Sequence, residues 1–222
     1  MSESFLRRAL NGHVLDQEQA RSVFEEMSRG ELSEIEIAAF LGALHARGEQ
    51  PSEIAGAAEA FRSAAQHFTT TAPDVIDVVG TGGDGVGTIN ISTASAFVAA
   101  SMGLKVAKHG NRAVSSKAGA ADLIEAAGIP LDLSPASTAT LLERTGFCFL
   151  FAQKYHPAMR YVAPVRGALK NPTIFNLIGP LVNPAPLSYQ VLGVGKPELL
   201  DVVAKALASL GLKHALVVHG SG

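Results

Sequence analysis

The chain has 222 residues and a formal net charge of -2 at pH 7, so its composition does not indicate nucleic acid or another polyanion as a partner. Its 47% hydrophobic and 17% charged residues are enough for a packed core and argue against intrinsic disorder. The length suits one or two domains, and the sequence shows neither an apolar run long enough to cross a membrane nor a signal peptide. The single cysteine, Cys148, cannot form an internal disulfide, which predicts a cytoplasmic protein.

The first part of the chain, residues 1–70, is predicted to be a small helical domain. Start and stop signals predict helices over residues 16–27, 33–48 and 51–61. The second of these begins with Ser33-Glu34-Ile35-Glu36, which matches a capping box. Residues 69–73 have the composition of a linker.

From residue 74 onward, short apolar strands alternate with helices. The predicted strands are 75–79, 104–108, 147–151, 189–194 and 214–218. The predicted helices are 92–102, 118–127, 135–145 and 198–210. This alternation predicts an α/β domain over residues 74–222, with a mostly parallel sheet and helices on both faces. The predicted fold class is therefore a small all-helical domain together with a larger α/β domain.

Two segments of the α/β region stand out. Cys148, the single cysteine, lies in the apolar run 147–151 and is interpreted as a buried core thiol. Residues 152–187 are rich in proline and interrupt the alternation of strands and helices, which is typical of a functional excursion or of a crossover to a second domain.

A glycine-rich loop, Gly80-Thr81-Gly82-Gly83-Asp84-Gly85-Val86-Gly87-Thr88, follows the first predicted strand and precedes a helix. Glycine allows a ligand to approach the backbone closely, and free N–H groups next to a helix N-terminus attract anions. The loop therefore predicts a phosphate or pyrophosphate cradle, and a simple tight turn is the alternative.

Three further groups of polar residues are candidates for the same site. Asn90, Ser92 and Thr93 begin the helix after the loop, where they could cap the helix or contact the ligand. Residues 108–117 follow the second predicted strand and carry cations, hydroxyls and an amide suited to a phosphorylated sugar. Asp122 is interpreted as a first-turn acid of the next helix, and Arg166 as a candidate for binding a carboxylate.

Other phosphate-binding motifs fit less well. The spacing Gly80-x-Gly82-x-x-Gly85 matches the dinucleotide fingerprint, but no acidic residue occurs between Gly85 and Asp122 to hold a ribose. No Gly-Lys-Ser/Thr sequence follows the glycines, which argues against a P-loop nucleotidase.

Four motifs in this order resemble the anthranilate phosphoribosyltransferase family of the tryptophan pathway. They are Gly80-Thr81-Gly82-Gly83-Asp84, Asn90-Ile91-Ser92-Thr93, Lys108-His109-Gly110-Asn111-Arg112 and Thr173-Ile174-Phe175-Asn176-Leu177-Ile178-Gly179-Pro180-Leu181. The resemblance covers essentially the whole chain. Pyrimidine nucleoside phosphorylases are similar in fold and glycine loop but differ in the second loop.

The resemblance implies transfer of 5-phosphoribose from phosphoribosyl pyrophosphate to anthranilate, with release of pyrophosphate and with Mg²⁺ as cofactor. Anthranilate would contact Gly80, Asn111 and Arg166, and the Ser92 hydroxyl would bind Mg²⁺. The residues implied to hold phosphoribosyl pyrophosphate are Gly80, Gly83, Asp84, Thr88, Asn90, Ile91, Ser92, Thr93, Lys108, His109, Gly110, Asn111, Arg112, Ala113, Val114, Ser115, Ser116 and Ala120.

The resemblance also implies a homodimer formed through the helical domain, to which a segment near residues 166–183 returns. Residues 167–172 depart from the usual family pattern, and the sequence ends before the Asp-Glu pair that binds Mg²⁺ in the family. The expectation is a truncated chain with an exposed sheet edge, weak substrate binding and low activity.

Three alternatives to this assignment stay open. A nucleoside phosphorylase is the first, and a noncatalytic relative that binds nucleic acid is the second. A dinucleotide-binding oxidoreductase is the third.

Overall fold

The computed structural model describes residues 2–82, 89–113 and 118–220. The chain divides into two compact units. The first, called the helical unit, comprises the chain up to Ala65 together with His156–Val182 and Asp201–Leu210. The second, called the sheet unit, comprises Gln66–Tyr155, Asn183–Leu200 and the chain from Gly211.

The described helices and strands follow one another along the chain as follows. The α-helices are α1 (Ser2–Leu10), α2 (Gln17–Arg29), α3 (Glu34–Arg47), α4 (Pro51–Ser63), α5 (Ile91–Ser101), α6 (Ala120–Ala126), α7 (Pro135–Thr145), α8 (Ala152–Tyr155), α9 (Ala163–Leu169), α10 (Phe175–Ile178) and α11 (Leu199–Ser209). The strands are β1 (Val75–Gly80), β2 (Val106–Gly110), β3 (Phe147–Phe151), β4 (Leu187–Gly193) and β5 (His214–Val218). Short 3₁₀ helices cover Pro157–Tyr161 and Gly179–Leu181.

Aromatic rings form the centre of the helical unit. Phe24 of α2 meets Phe40 of α3 edge to face, with ring centroids 5.3 Å apart. Phe175 of α10 meets Phe61 of α4 in the same way at 5.0 Å. The proline-rich excursion therefore contributes an aromatic side chain to the core of the helical unit, because edge-to-face pairs combine apolar burial with favourable ring electrostatics.

The described part of the sheet unit contains a five-stranded sheet with the order β3-β2-β1-β4-β5. Every neighbouring pair of strands is parallel, so the carboxyl ends of all these strands lie at one edge of the sheet. Residues packed on one face include Ala107, Leu142 and Cys148, whereas Val106 and Ile124 pack on the other. Helices α7 and α6, which supply Leu142 and Ile124, therefore cover opposite faces.

The predicted fold class is confirmed, and the predicted elements of the sheet agree closely with the structure. The strands at 147–151 and 214–218 and the helix at 135–145 have the predicted bounds. Strand β5 lies at an edge of the described sheet, where its Leu216 side chain is 63% exposed. In the described parts of the chain, no helix combines the length and the apolarity needed to cross a membrane.

Several predicted bounds differ from the structure by one or two residues, as at β4, which was predicted at 189–194 and runs over Leu187–Gly193. At β2 both bounds differ by two residues. The second strand was predicted at 104–108, but β2 runs from Val106 to Gly110. Leu104 is bonded to the end of α5 and not to a neighbouring strand, because its backbone N–H donates to the Ala99 carbonyl after Gly103, which has a left-handed backbone conformation. Strand β2 continues beyond residue 108 because it pairs with β3, and its last residue, Gly110, pairs with Phe151.

Candidate functional site

The glycine-rich loop begins where β1 meets β4. Thr81 donates its backbone N–H to the Gly193 carbonyl at 2.9 Å, and its hydroxyl accepts from the Gly195 N–H at 3.2 Å. Gly82 has a φ of +68°, a conformation that glycine adopts without a steric penalty. The start of the loop is therefore tied to the carboxyl end of β4. Of the residues predicted to bind phosphoribosyl pyrophosphate, Gly83, Asp84 and Thr88 lie outside the described residues.

The helix after the loop starts beside the N-terminus of α6. Asn90 occupies the N-cap position of α5, but its side chain does not cap that helix. Its Nδ2 atom instead donates to the Gly119 carbonyl at 3.2 Å. Ile91 is 56% exposed, whereas Thr93 is buried. The Asn90 side chain thus joins the starts of two helices at the carboxyl edge of the sheet.

Ser92 is the residue predicted to bind Mg²⁺. Its side chain is half-buried and lies in the first turn of α5. Within residues 2–82, 89–113 and 118–220, no group of three His, Cys, Asp or Glu side chains could hold a metal ion. A single hydroxyl fits Mg²⁺ that is bound mainly through phosphate oxygens and water.

Three predicted ligand residues lie in strand β2 and not in the loop that follows it. Lys108 is buried, and its Nζ atom donates to the Val78 carbonyl at 2.7 Å. Burial lowers the pKa of Lys108, and the Asp77 carboxylate partly opposes that shift. His109 is also buried, and Gly110 ends the strand. These three predicted ligand residues therefore belong to the hydrogen-bonded strand β2.

Asn111 and Arg112, which follow β2, are linked to each other and to neighbouring side chains. Asn111 accepts the N–H of Arg112 at 2.8 Å and the side-chain amide of Gln153 at 3.3 Å through the same oxygen. The Arg112 guanidinium contacts two carboxylates, with its Nη1 atom 3.0 Å from Asp122 and 2.8 Å from Glu125. These hydrogen bonds raise the pKa of Arg112. Val114, Ser115 and Ser116 lie outside the described residues.

Asp122 of α6 connects the residues that follow β2 to the start of its own helix. Its Oδ2 atom accepts from the backbone N–H groups of Gly119 at 2.7 Å and Ala113 at 3.1 Å. Both bonds lower the pKa of Asp122, the bond from Gly119 most. The backbone N–H of Ala121 also donates to the Asn111 carbonyl at 3.1 Å. Asp122 therefore does more than complement the helix dipole, because it links Ala113 to Gly119, which lie within and just after the segment 108–117 that was predicted to follow the second strand, hereafter the second predicted loop.

A buried carboxylate lies below the same edge of the sheet. Asp77 of β1 accepts from the Nδ2 atom of Asn183 at 2.8 Å and from the backbone N–H of His109 at 3.4 Å. Burial raises the pKa of Asp77 to about 6, even though Lys108 and these hydrogen bonds favour the charged form. Cys148 is buried nearby, and burial together with the Asp77 charge raises the pKa of its thiol. The thiol is therefore not an activated nucleophile.

Arg166 lies in the helical unit, in helix α9. Its guanidinium carbon lies 5.5 Å from the centre of the Phe175 ring, and burial lowers the pKa of the half-buried side chain. Among the described residues, no carboxylate forms an ion pair with it. A half-buried arginine stacked on a ring and without an acidic partner can bind a carboxylate.

The structure thus connects several predicted residues around Gly119. The members of this group are Asn90, Asn111, Arg112, Ala113 and Ala120. Gly80 instead leads into the turn held by β4, and Arg166 belongs to the helical unit. Sequence reasoning missed Asp77 and Asn183 and gave Asp122 only a helix-dipole role. The spacing Gly119-x-x-Asp122, which is that of a capping box, is the signal that could have identified the second role.

Comparisons with known proteins identify the family to which the chain is similar. The family described as "Glycosyl transferase family, a/b domain" matches residues 72–222, and "Glycosyl transferase family, helical bundle domain" matches residues 3–65. The anthranilate phosphoribosyltransferase of Aeromonas salmonicida is 52% identical over 98% of this chain and 64% of its own length.

Two solved structures are similar as well. The crystal structure of anthranilate phosphoribosyltransferase from Thermus thermophilus has a TM-score of 0.94 and 50% identity, covering 98% of this chain and 66% of that chain. The Saccharomyces cerevisiae enzyme in complex with phosphoribosyl pyrophosphate and Mg has a TM-score of 0.90 and 30% identity, covering 99% and 66%. The chain thus spans less than two thirds of the length of these relatives, and the predicted resemblance is confirmed. Since the two family descriptions together match most of its residues, the chain belongs to the glycosyl transferase family that combines a helical bundle domain with an a/b domain.

Proposed function

We propose that the chain binds phosphoribosyl pyrophosphate and serves in the transfer of its 5-phosphoribosyl group to the amine of anthranilate, a step of tryptophan biosynthesis. The observation that carries the proposal is the similarity, over 98% of the chain, to proteins named anthranilate phosphoribosyltransferase. The relative from yeast, whose structure includes phosphoribosyl pyrophosphate and Mg, supports the choice of ligand.

The carboxyl edge of the sheet suits a phosphorylated sugar. Ligands of open parallel sheets bind at this edge, where the first residues of the glycine-rich loop and the end of β2 both lie. Asn90 and Asn111 are linked to the backbone next to Gly119, which restricts their positions before a ligand arrives. The contacts proposed for Gly83, Asp84, Thr88 and residues 114–116 follow from the family resemblance.

The reaction needs stabilisation of charge more than it needs a covalent nucleophile. Displacement at the anomeric carbon passes through an oxocarbenium-like state while charge grows on the departing pyrophosphate. Backbone N–H groups and the buried cation of Lys108 would stabilise that charge. Mg²⁺, when bound, would supply further charge neutralisation. The aromatic amine is already a nucleophile, so holding the two substrates in place is the main task of the protein.

The acceptor would be recognised through its carboxylate. We assign this role to Arg166, because it is half-buried, stacked on Phe175 and free of acidic partners among the described residues. The planar guanidinium can donate two parallel hydrogen bonds to a carboxylate. Gly80 and Asn111 remain proposed anthranilate contacts on the basis of the family resemblance.

We further propose a cytoplasmic homodimer formed through the helical unit. Leu10, Val14 and Ile35 of this unit are 44%, 49% and 81% exposed, and apolar side chains of this size favour contact with a second copy. Analytical ultracentrifugation at several protein concentrations tests the dimer. A single monomeric species at all concentrations would contradict it.

Calorimetric titration of the 222-residue chain with phosphoribosyl pyrophosphate, with and without Mg²⁺, tests the proposed ligand. We expect binding that Mg²⁺ strengthens, and no binding of NADPH or thymidine. Binding of NADPH alone would favour the dinucleotide-binding alternative, and phosphorolysis of thymidine would favour a nucleoside phosphorylase. A folded chain that binds none of these ligands would contradict the proposal.

Two serines of α5 offer a matched test of the metal assignment. Ser92→Ala removes the proposed Mg²⁺ ligand at the start of the helix. Ser101→Ala removes a hydroxyl at the end of the same helix, where it donates to the Val98 carbonyl. We expect Ser92→Ala to remove most of the Mg²⁺-dependent gain in phosphoribosyl pyrophosphate affinity and Ser101→Ala to leave it intact. Equal gains in both variants would rule out Ser92 as the metal ligand.

A further inference from the structure

The Asp122 carboxylate receives hydrogen bonds from both sides of the second predicted loop. Its Oδ2 atom accepts from the Ala113 N–H at 3.1 Å and from the Gly119 N–H at 2.7 Å, so positions 113 and 119 are held against one oxygen. Its Oδ1 atom accepts from Nη1 of Arg112 at 3.0 Å. An ordinary helix cap would need only the bond from Gly119, so the other two bonds require a further explanation.

The backbone around this carboxylate is packed too closely for any residue except glycine at position 119. A Cβ atom on Gly119 would lie 2.7 Å from the Asn111 carbonyl oxygen and closer still to the backbone of Arg112 and Ala113. These are backbone atoms, which cannot move aside as a flexible side chain can. The two ends of the loop therefore lie in direct contact, and Asp122 connects them.

The same junction also holds Asn90, which follows the glycine-rich loop in the sequence. The Gly119 carbonyl accepts from Nδ2 of Asn90, the residue that precedes α5. The Asn111 carbonyl accepts from the N–H of Ala121, one residue before Asp122. A displacement of Gly119 would therefore be transmitted to Asn90 as well as to Asn111, and both of these are proposed ligand residues.

We propose that Asp122 is a positioning residue for the phosphoribosyl pyrophosphate site, acting through Gly119, Ala113 and Arg112. The inference rests on the proposed function, because the site that Asp122 organises is the one assigned there. Asp122 does not contact the ligand itself. Its carboxylate holds Ala113 and Gly119 in place, and Gly119 in turn holds the side chain of Asn90, so these residues are positioned before the substrate arrives.

The capping box at the start of α3 provides a matched control. Glu36 stands at the third position of α3 and accepts from the Ser33 N–H at 2.8 Å, as Asp122 does from Gly119 in α6. Glu36 lies in the helical unit, and its other described bond comes from the hydroxyl of the same Ser33 at 2.6 Å and not from the backbone of a distant segment. Glu36→Ala therefore removes a helix cap alone, and Asp122→Ala removes a cap together with the connection between the loop ends.

The experiment compares the wild type, Asp122→Ala, Asp122→Asn and Glu36→Ala by calorimetric titration with phosphoribosyl pyrophosphate and Mg²⁺. We expect Asp122→Ala to weaken binding about tenfold or more, since it removes three hydrogen bonds to a charged group. Glu36→Ala should bind like the wild type. Asp122→Asn keeps an oxygen for the two backbone N–H groups, so its affinity should lie between those of the wild type and Asp122→Ala.

Amide hydrogen exchange provides a readout that does not depend on the ligand. The N–H groups of Ala113 and Gly119 should exchange slowly in the wild type and in Glu36→Ala, and fast in Asp122→Ala. Wild-type affinity in a folded Asp122→Ala variant, or equal losses in Asp122→Ala and Glu36→Ala, would overturn the inference. Failure of the wild type to bind would overturn the proposed function, and with it this role.

Discussion

The side-chain nitrogen of Asn183 lies 2.8 Å from the carboxylate of Asp77, although 106 residues separate them in the sequence. Both side chains are buried. The same nitrogen donates to the Ala107 carbonyl at 2.9 Å, and the Asn183 oxygen accepts from the Ala185 N–H. Asn183 therefore ties β1 and β2 to the segment that leads into β4.

The raised pKa of Asp77 predicts a specific pH dependence of stability. Burial raises this pKa from 3.8 to about 6, so the folded protein holds the proton more tightly than the unfolded chain does. The stability that Asp77 contributes is present at low pH and is lost as the pH rises through about 6. Relative to Asp77→Asn, the wild-type free energy of unfolding should fall by on the order of 3 kcal/mol between about pH 4 and about pH 7.

Urea unfolding of both proteins across this pH range measures the difference. His156 acts in the opposite direction, because burial lowers its pKa to about 4 and its contribution is lost as the pH falls. Since His156 is present in both proteins, its effect cancels in the comparison. If the wild-type free energy of unfolding minus that of Asp77→Asn stays constant or increases as the pH rises, Asp77 is not the titrating group.

Arg166→Ala is expected to weaken anthranilate binding and to leave the affinity for phosphoribosyl pyrophosphate unchanged. The loss should be about tenfold or more, because the variant removes a charged partner of the acceptor carboxylate. Arg160→Ala is the control, since Arg160 also stacks on a ring of the helical unit, that of Tyr161 at 4.7 Å. Titration of each variant with both ligands decides the matter, and an equal loss for both ligands in Arg166→Ala would indicate a structural role.

Two glycines inside helices should respond in opposite ways to alanine. A Cβ atom on Gly42 of α3 would meet open space, so Gly42→Ala should raise the free energy of unfolding by about 1 kcal/mol. A Cβ atom on Gly56 of α4 would lie 2.7 Å from the backbone nitrogen of Arg21 and 2.9 Å from the Ala20 side chain. Gly56→Ala should therefore destabilise the protein by about 1 to 3 kcal/mol through overpacking. Thermal unfolding measures both, and stabilisation by Gly56→Ala would contradict the close packing of α2 and α4.

Glu53 should contribute far more to stability than an exposed acidic residue does. It is completely buried, and it accepts from Nη2 of Arg47 at 2.6 Å and from the N–H of Leu15 at 3.1 Å. Glu53→Ala leaves these donors without their acceptor and should cost about 3 kcal/mol or more. Glu25→Ala removes the exposed pair with Arg21 and should cost less than about 1 kcal/mol. Equal losses of unfolding free energy in Glu53→Ala and Glu25→Ala, measured by urea unfolding, would contradict this prediction.

Local patterns in the sequence predicted most of the fold. The capping box at Ser33, the proline after Ser134 and the apolar run 147–151 each specify a backbone conformation through near neighbours. The shift of β2 to Val106–Gly110 was not predictable in this way, because pairing with β3 decides where that strand ends. The extent of a strand depends on its partners, which lie far away in the sequence.

The candidate site likewise combines features that the sequence predicted with features that only the structure shows. The glycine-rich loop, the Asn90 motif and the residues after β2 were recognisable from residue types and spacing alone, since each motif is contiguous. Only the tertiary structure showed that Asp122 joins Ala113 to Gly119 and that Asn183 supports Asp77. These roles depend on hydrogen bonds that form once the strands are in register and buried. The sequence by itself determined which chemical groups the protein can offer to a substrate, and the packing of the sheet decided which of them are held in place.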